Sequence, residues 1–110
     1  MNIQIFGTRK CNDTRKAERF FKERRIPAQF RDLNEKGVSK GELDNIKSVI
    51  PVEELIDTEG KEYKKQNLQY ITHDVEEALL ENALLFKTPI VRNGRRVTIG
   101  YQPDVWKTWE

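Results

Sequence analysis

The first third of the chain has the pattern of a strand, a helix and a second strand, and this order limits the folds open to it. Short apolar runs predict strands over residues 3–6 and 28–33. Between them, Ala17, Phe20 and Phe21 recur at helical spacing, which predicts a helix over about residues 13–25. Two strands joined by a helix form a parallel pair with a right-handed crossover. The chain should therefore begin with a β–α–β unit.

Both ends of this helix carry their own signals. Asn12 is the expected N-cap, because a short polar side chain there can accept a hydrogen bond from the first turn. Arg24 and Arg25 suit the negative C-terminal end of the helix dipole, and Pro27 stops the helix. The helix should therefore start beside the residue at position 11.

Cys11 is the only cysteine, and it lies at the turn between the first strand and the helix. The free N–H groups at a helix N-terminus and the helix dipole favour the thiolate over the thiol. The thiolate is the nucleophilic form, so this placement predicts redox or thiol-transfer chemistry. The alternative is a small buried apolar residue, as many free cysteines are. With one cysteine in the chain, any disulfide must form with another molecule.

The composition indicates a small domain with a densely charged surface. The chain has 110 residues, 35% of them charged, and a formal net charge of +2. This net charge is too small to predict nucleic-acid binding. No apolar run approaches the roughly 18 residues that span a membrane, and the N-terminus lacks a signal-peptide pattern. We expect a single domain over residues 1–110, cytoplasmic and monomeric, with no direct contact to nucleic acid or membrane.

The middle of the chain has the pattern of several short helices. Ser39 and Glu42 have the spacing of a capping box, which predicts a helix as far as about Val49. Pro51 suits the first turn of the next helix, and Thr72 lies ahead of another. The predicted short helices cover residues 52–57, 62–68 and 74–81.

The last third of the chain returns to strands. Asn93 and Gly94 form a strong hairpin signal. The apolar runs on either side predict strands over residues 89–92 and 95–99. Two consecutive strands joined by so short a turn must be antiparallel.

A terminal helix completes the order of elements. It is predicted over residues 104–109, and its Trp106 and Trp109 are expected to cover the sheet. The whole order predicts an α/β, thioredoxin-like fold with a mixed sheet of about four strands. A helical insert over about residues 39–86 separates strands two and three.

Three segments of the chain resemble the arsenate-reductase (ArsC)/Spx/YffB family. They are residues 6–17 around Cys11, residues 86–91 and residues 94–104. They follow the family's order and spacing, and the closing segment is most similar to the YffB- and Spx-like branches. The resemblance implies a glutaredoxin-type, thioredoxin-like fold and a thiol oxidoreductase activity with Cys11 as nucleophile. It also implies glutathione or a glutaredoxin as reductant, glutathione as co-substrate, and no bound cofactor.

The chain departs from the arsenate reductases of this family where those enzymes hold the oxyanion. The resemblance places their arginines at Thr88, at Asp57 and within residues 97–100. Thr8 and Arg9 stand where those enzymes have an Asn-Pro pair. Because threonine and lysine do not reproduce the forked donors of arginine, arsenate reduction is not expected.

Thr14 stands where a Cys-x-x-Cys protein has its second cysteine. Its hydroxyl can hydrogen-bond the Cys11 sulfur and activate it, but it cannot resolve a mixed disulfide. The mechanism should therefore be monothiol, with an external thiol releasing the product. The alternative is that Thr14 is an ordinary residue of the first helical turn.

Further candidate site residues surround Cys11. Arg9, Lys10 and Arg15 would favour a thiolate and bind an anionic substrate or the carboxylates of glutathione. The alternative, strongest for Lys10, is a solvated basic face. The resemblance also implies a cis peptide bond between Thr88 and Pro89 beside the cysteine. There the Thr88 backbone would contact a bound peptide or glutathione.

The remaining candidate residues have simpler interpretations. Arg92, Arg95 and Arg96 form a basic group at the hairpin that either contacts an oxyanion or guards a strand edge. His73 is expected to be a surface residue at a helix start. One cysteine and one histidine do not make the usual ligand set, so no metal site is expected.

A second function from a different class follows from the same resemblance. An Spx-like regulator would bind RNA polymerase or another protein, with Cys11 as a sensor or without a role. The helical insert would then dock, and its charged residues Glu53, Glu54 and 61–65 would form the contact. A solvated surface is the alternative interpretation of these charges.

Overall fold

The computed structural model describes residues 1–68 and 74–110. The chain folds into a mixed sheet with helices on both faces. In chain order the elements are β1 (Ile3–Gly7), α1 (Asn12–Glu23), β2 (Ala28–Asp32), α2 (Lys40–Lys47), α3 (Val52–Leu55), α4 (Lys61–Lys65), α5 (Val75–Glu81), a 3-10 turn (Ala83–Leu85), β3 (Ile90–Asn93), β4 (Arg96–Ile99) and α6 (Pro103–Lys107).

The sheet has the strand order β2-β1-β3-β4. β1 and β2 are parallel, whereas β1 pairs antiparallel with β3, and β3 pairs antiparallel with β4. The parallel pair joined by α1 is the predicted β–α–β unit. Helices α2 to α5 form the predicted insert between β2 and β3. The predicted mixed sheet with its helical insert is therefore confirmed.

The alternation of side chains along β1 divides the apolar residues into two cores. Ile3 and Ile5 face α1 and α6, where they belong to one cluster with Phe21 and Trp106. Phe6 faces the insert and belongs to a second cluster, because successive side chains of a strand point to opposite faces. Helices therefore cover both faces of the sheet, which leaves the loops at the strand ends to form a site.

The start of α1 lies one residue earlier than predicted, because Asn12 is not its N-cap. Cys11 occupies that position with extended backbone angles, φ −79° and ψ 119°, and Asn12 is the first helical residue. The helix ends at Glu23, two residues before the predicted end. Arg25 has φ 57°, in the left-handed region, so the helix cannot continue through it.

The hairpin turn also lies one residue later than predicted. Asn93 pairs with Arg96, so the two loop residues are Gly94 and Arg95. Gly94 has φ 61°, a conformation that costs glycine little, and a positive angle at the first loop position is the pattern of a type II′ turn. The glycine of the hairpin signal therefore enters the loop, whereas its asparagine ends β3.

The capping box at the start of the insert is confirmed. The Ser39 Oγ accepts a hydrogen bond from the Glu42 amide at 3.1 Å, and a Glu42 carboxylate oxygen accepts one from the Ser39 amide at 3.0 Å. The helix it opens ends at Lys47, two residues short of the prediction. The capping box therefore predicted the start of α2 correctly, whereas the predicted end of the helix was two residues too late.

The later insert helices are shorter than predicted. Pro51 is the N-cap of α3 rather than its first residue, and α3 ends at Leu55 because Ile56 forms a β-bridge with Phe86. Asp74 caps α5 by accepting a hydrogen bond from the Glu77 amide. Thr72 and His73 lie outside the described residues.

The terminal segment covers the sheet as predicted. Trp106 lies on α6 and is fully buried, and Trp109, just beyond the helix, is 9% exposed. Both belong to the cluster that packs on β1 and α1. Within residues 1–68 and 74–110, no helix has the length and hydropathy needed to cross a membrane.

An ion pair joins α2 to β2. Two nitrogens of the Arg31 guanidinium each donate to the Glu42 carboxylate at 3.0 Å. Burial raises the pKa of Glu42, but hydrogen bonds from Arg31 and from Ser39 lower it by more. The net result is a pKa below the usual value, so the fold favours the ionised carboxylate.

Glu42→Gln is expected to lower the free energy of unfolding by about 1–2 kcal/mol at neutral pH, because charge-assisted hydrogen bonds are lost. Since the folded-state pKa is depressed, the contribution of the carboxylate is fully present above the unfolded-state pKa of about 4.3. It is lost as the pH falls through the folded-state pKa. Urea unfolding at neutral and acidic pH should show a difference from wild type that shrinks on acidification.

The matched control is Glu35→Gln, at an exposed carboxylate with no ion pair among the described residues. It should leave the unfolding free energy nearly unchanged at either pH. A Glu42→Gln difference that is equally large in acid would show that the packing of the side chain matters rather than its charge.

Candidate active site

Cys11 joins the end of β1 to the start of α1. β1 ends at Gly7, and the Cys11 amide donates to the Thr8 carbonyl at 3.1 Å, which closes the turn between them. The Cys11 carbonyl accepts the first helical hydrogen bond, from the Arg15 amide at 3.2 Å. The half-buried thiol therefore lies at the N-terminus of α1, the longest helix among the described residues, as the sequence predicts.

Thr88 lies on the other side of the sulfur. The Cys11 Sγ is 3.7 Å from the Thr88 carbonyl oxygen, although 77 positions separate the two residues. β3 brings them together, because Ile90 pairs with Phe6 on β1. The peptide bond between Thr88 and Pro89 is cis, which confirms the expectation from the resemblance. The turn at Cys11 and the segment at Thr88 and Pro89, which the resemblance places side by side, therefore do lie together.

Hydrogen bonds around the thiol favour its ionised form. Burial raises the pKa of Cys11, but the side chains of Thr14 and Thr88 and the amides of Thr14 and Asp13 lower it, because they can donate hydrogen bonds to a thiolate. Together they outweigh burial, so the pKa of Cys11 lies below its ordinary value. A thiol with a depressed pKa is more readily present as the nucleophilic thiolate.

Thr14 is the buried partner of this thiol. Its side chain is fully buried, and its hydroxyl oxygen makes no hydrogen bond of ordinary length and angle to another described residue. A buried hydroxyl without a partner is costly, and a thiolate at Cys11 would accept a hydrogen bond from it. The unpartnered hydroxyl therefore itself favours ionisation of the cysteine.

Gly7 makes room for Thr14, and the sequence analysis did not single it out. A methyl group on Gly7 would lie 2.7 Å from the Thr14 Cγ2 and would overlap its hydroxyl. Gly7 is buried, and its φ angle is not positive, so its backbone conformation does not call for glycine. The lack of space for a side chain is what requires a glycine here. A glycine that ends a strand is a common turn signal, which is why its contact could not be predicted.

Thr14→Val is expected to raise the pKa of Cys11, because it removes the hydroxyl and keeps the shape of the side chain. Alkylation by iodoacetamide at neutral pH should slow by about tenfold, in line with the loss of one hydrogen bond to a charged group. The pH dependence of alkylation measures the effect. Thr14→Ser keeps the hydroxyl, so its alkylation rate should be close to that of wild type. If alkylation slows equally in Thr14→Val and Thr14→Ser, Thr14 has a packing role only.

The predicted cationic residues have partners of their own. Arg9 lies 4.0 Å from the Glu18 carboxylate and stacks 4.6 Å from the centre of the Phe30 ring. The Arg15 guanidinium donates to the side-chain oxygen of Asn12. Both arginines are exposed, so they remain available to an anion, and their role in binding one stays a prediction.

A cleft of about 330 Å³ opens beside Cys11. Thr8, Lys10 and Thr88 line the end near the sulfur, and Asp57 and Lys61 line the end formed by the insert. Lys10 thus faces this cleft, whereas Arg9 and Arg15 lie on the flank of α1. Cys11 does not itself line the cleft, which adjoins it through its chain neighbour Lys10 and through Thr88, whose carbonyl contacts the sulfur.

The predicted basic group at the hairpin does not reach the thiol. Arg92 donates to the Gln4 side chain at 2.8 Å and to the Asn45 side chain at 3.2 Å, on the face covered by the insert. Arg95 and Arg96 are exposed at the far end of β3 from Thr88. Within the described residues, no group of histidine, cysteine and acidic side chains could hold a metal ion.

The sequence model of the ArsC family matches residues 6–109, nearly the whole chain. The chain belongs to the ArsC family. Global transcriptional regulator Spx 2 of Oceanobacillus iheyensis is 30% identical over 109 residues, which cover 94% of this chain and 80% of that protein. The solved structure of a YffB protein has a TM-score of 0.84 at 20% identity, covering 97% of both chains. An arsenate reductase from Vibrio cholerae has a TM-score of 0.79 at 22% identity, covering 96% of this chain and 94% of that one.

These likenesses confirm the predicted family and the thioredoxin-like fold. Proteins with different names resemble this chain: a transcriptional regulator in sequence and an arsenate reductase in fold. The fold therefore does not decide the activity of this chain, and the residues of the cleft must be considered instead. Among them, Asp57 is a carboxylate that accepts a hydrogen bond from the Glu59 amide at 3.2 Å.

Proposed function

We propose that this chain is a monothiol thiol–disulfide oxidoreductase of the ArsC family, with Cys11 as its nucleophile. The observation that carries the proposal is the placement of the sulfur at the N-terminus of α1, 3.7 Å from the Thr88 carbonyl oxygen and within the influence of the buried, unpartnered Thr14 hydroxyl. The hydroxyls of Thr14 and Thr88 and two amides of α1 favour the thiolate against the effect of burial. This arrangement is the one needed for a nucleophilic cysteine rather than for a structural one.

The reaction proceeds in two exchange steps. The Cys11 thiolate attacks one sulfur of a disulfide, an S–S bond forms to Cys11, and the other sulfur leaves as a thiolate that takes up a proton. Thr14 offers no second thiol, so a thiolate from outside the chain must attack the mixed disulfide. That attack releases the Cys11 thiolate and forms a new disulfide between the substrate sulfur and the incoming thiol. Away from Cys11, a second external thiolate then attacks that new disulfide, releases the remaining substrate sulfur as a thiol, and joins the two external thiols as a disulfide. Two electrons thus pass from two external thiols to the original disulfide, which becomes two thiols.

Glutathione is the external thiol in this proposal, and a glutaredoxin is the alternative reductant. A tripeptide fits the geometry, because the Thr88 carbonyl beside the sulfur can accept a hydrogen bond from a bound peptide. Lys10 and Lys61 line the adjoining cleft and can pair with carboxylates. No resident cofactor is required for either exchange step.

Arsenate reduction is not part of the proposal. An oxyanion needs several forked cationic donors, and arginine supplies them best. The cleft beside Cys11 is lined by lysines and by no arginine among the described residues, and Asp57 adds a negative charge. This charge pattern would repel a multiply charged anion more than it would a peptide disulfide.

The direct test follows the mixed disulfide by intact mass spectrometry. Wild-type protein incubated with oxidised glutathione should gain one glutathionyl group, and reduced glutathione should remove it. Cys11→Ser is the control that should gain none. A wild-type protein that forms the adduct only at the alkaline pH where free cysteine reacts would overturn the proposal. Slow release by glutathione and fast release by a glutaredoxin would instead identify the glutaredoxin as reductant.

A second candidate function is supported by the likeness to Spx 2. That relative is named a global transcriptional regulator, and its similarity extends over almost the whole of this chain. We therefore also consider a regulator that binds RNA polymerase through the insert. The acidic pair Glu53 and Glu54 on α3 and the exposed lysines of α4 are available for such a contact.

Size-exclusion chromatography with purified bacterial RNA polymerase distinguishes the two functions. Co-elution that is weakened by Glu53→Lys and Glu54→Lys together would support the regulator. Independent elution, together with reversible glutathionylation of Cys11, would support the enzyme alone. Co-elution that survives those substitutions would place the contact outside α3.

A further inference from the structure

A groove runs between α1 and the edge strand β2, separate from the cleft at Cys11. It has a volume of about 580 Å³. Ile5, Ile26 and Phe30 form its apolar floor, and Arg15, Arg19 and Lys22 form a cationic wall. The wall residues recur every three or four positions, so they share one flank of α1 along two helical turns.

The wall has an excess of positive charge that the described residues do not neutralise. Among the described residues that line the groove, Glu18 is the only acidic one, and it already lies 4.0 Å from the Arg9 guanidinium. Arg19 and Lys22 are exposed and have no ion-pair partner within residues 1–68 and 74–110. Unneutralised cations beside an apolar floor favour a partner that is both acidic and partly apolar.

The other side of the groove is an open strand edge. β2 pairs only with β1, so its second edge carries no strand of this chain within the described residues. The Leu33 amide donates to the Gly7 carbonyl at 2.9 Å and so points toward β1. Amides of a strand alternate in direction, so those of Ala28 and Phe30 point to the open edge. These main-chain groups can pair with an extended segment of another chain.

We propose that this groove binds an extended, acidic segment of a partner protein, which joins the β2 edge as an additional strand. Its main chain pairs with Ala28 and Phe30. Its acidic side chains face the cationic wall, and its apolar side chains rest on Ile26 and Phe30. Charge and edge geometry together select this occupant, since a small anion would leave the strand edge unused. The proposal does not depend on the activity of Cys11.

The test uses a short end-blocked peptide in which every second residue is threonine and the residues between them are glutamate and valine in turn. In a strand, the glutamate and valine side chains then share the face toward α1. The peptide is titrated to millimolar concentration into the full, isotopically labelled chain. In the amide NMR spectrum, the signals of Ala28 and Phe30 should shift. Hydrogen exchange at these two amides should slow when the peptide is bound. The Gln29 and Arg31 amides, which point toward β1, should change little. A peptide with lysine in place of glutamate should not bind.

Charge reversal of the wall tests the electrostatic part. Arg19→Glu with Lys22→Glu should weaken peptide binding by about tenfold or more. Lys36→Glu with Lys64→Glu changes the net charge equally at exposed positions outside the groove, and it should keep the wild-type affinity. Arg15 is left unchanged because it is also a candidate residue of the Cys11 site.

Three outcomes would overturn the proposal. The first is the absence of shifts at Ala28 and Phe30 at millimolar peptide. The second is equal binding of the glutamate and lysine peptides, or equal effects of the two double variants. The third is protection of these amides from exchange in the absence of peptide. If that protection grows with protein concentration, a second copy of this chain is the occupant.

Discussion

Gly7→Ala is expected to lower the free energy of unfolding by about 1–3 kcal/mol and to raise the pKa of Cys11. The new methyl group would lie 2.7 Å from the Thr14 Cγ2 and would overlap its hydroxyl. Both residues are buried, so neither can move away into solvent. The displaced hydroxyl would no longer donate to the thiolate, and alkylation at neutral pH should slow several-fold.

Two measurements on the same variant separate these effects. Urea unfolding gives the change in stability, and the pH dependence of iodoacetamide alkylation gives the change in thiol ionisation. Gly41→Ala is the matched control, because a methyl group there meets nothing within 4 Å and the position is helical. That control should gain stability, by about 0.4–1 kcal/mol, and should leave the thiol unchanged.

A double variant links the two effects to one contact. Gly7→Ala with Thr14→Ala removes the hydroxyl and most of the overlap, leaving only a tight contact of 3.1 Å with the Cβ of residue 14. It should recover part of the lost stability while the pKa of Cys11 stays raised, so the two substitutions should not be additive. Additive losses of stability would show that Gly7 acts through some neighbour other than Thr14.

Sequence patterns sufficed where a signal is local. The β–α–β unit, the capping box at Ser39 and the position of Cys11 between strand and helix each depend on residues close together in the chain. The cis bond before Pro89 came from the family resemblance, because most peptide bonds before proline are trans. Local signals also predicted the four strands of the sheet, although they misplaced the N-cap of α1 and the hairpin loop by one residue each.

The parts that could not be predicted depend on contacts between distant residues. The contact of Gly7 with Thr14 requires the crossing of β1 and α1 to be known in three dimensions. Arg9 was assigned to the thiol because it lies two positions from Cys11, yet its guanidinium stacks on Phe30 of the neighbouring strand. A cation near a cysteine in sequence has several partners within reach, and packing decides among them.

The second large effect concerns Trp106, where α6 is anchored to the sheet. Trp106→Ala is expected to lower the free energy of unfolding by about 3–5 kcal/mol. The fully buried indole lies 5.3 Å from the Phe20 ring, 5.2 Å from the Phe21 ring and 5.7 Å from the Tyr101 ring, between ring centres. Its Nε1 donates to the Thr98 Oγ1 at 2.8 Å. Alanine would lose these contacts and leave a cavity.

Two further variants divide the loss into its parts. Thr98→Val leaves the indole N–H buried without its acceptor and should cost about 1–3 kcal/mol. Trp106→Phe keeps an aromatic ring against α1 but gives up the hydrogen bond, so its loss should lie between those of Thr98→Val and Trp106→Ala. Urea unfolding of all three variants, compared with wild type, measures the order.

Trp106→Ala should leave the chemistry of the thiol unchanged as long as the protein is folded. Trp106 packs on Phe20 and Phe21, more than two helical turns from Cys11, and it contacts none of the groups that set the pKa of the cysteine. The pH dependence of alkylation at low temperature should therefore match wild type, in contrast to Gly7→Ala. A raised pKa in a folded Trp106→Ala protein would mean that α6 fixes the position of α1, and with it the amides that hold the thiolate.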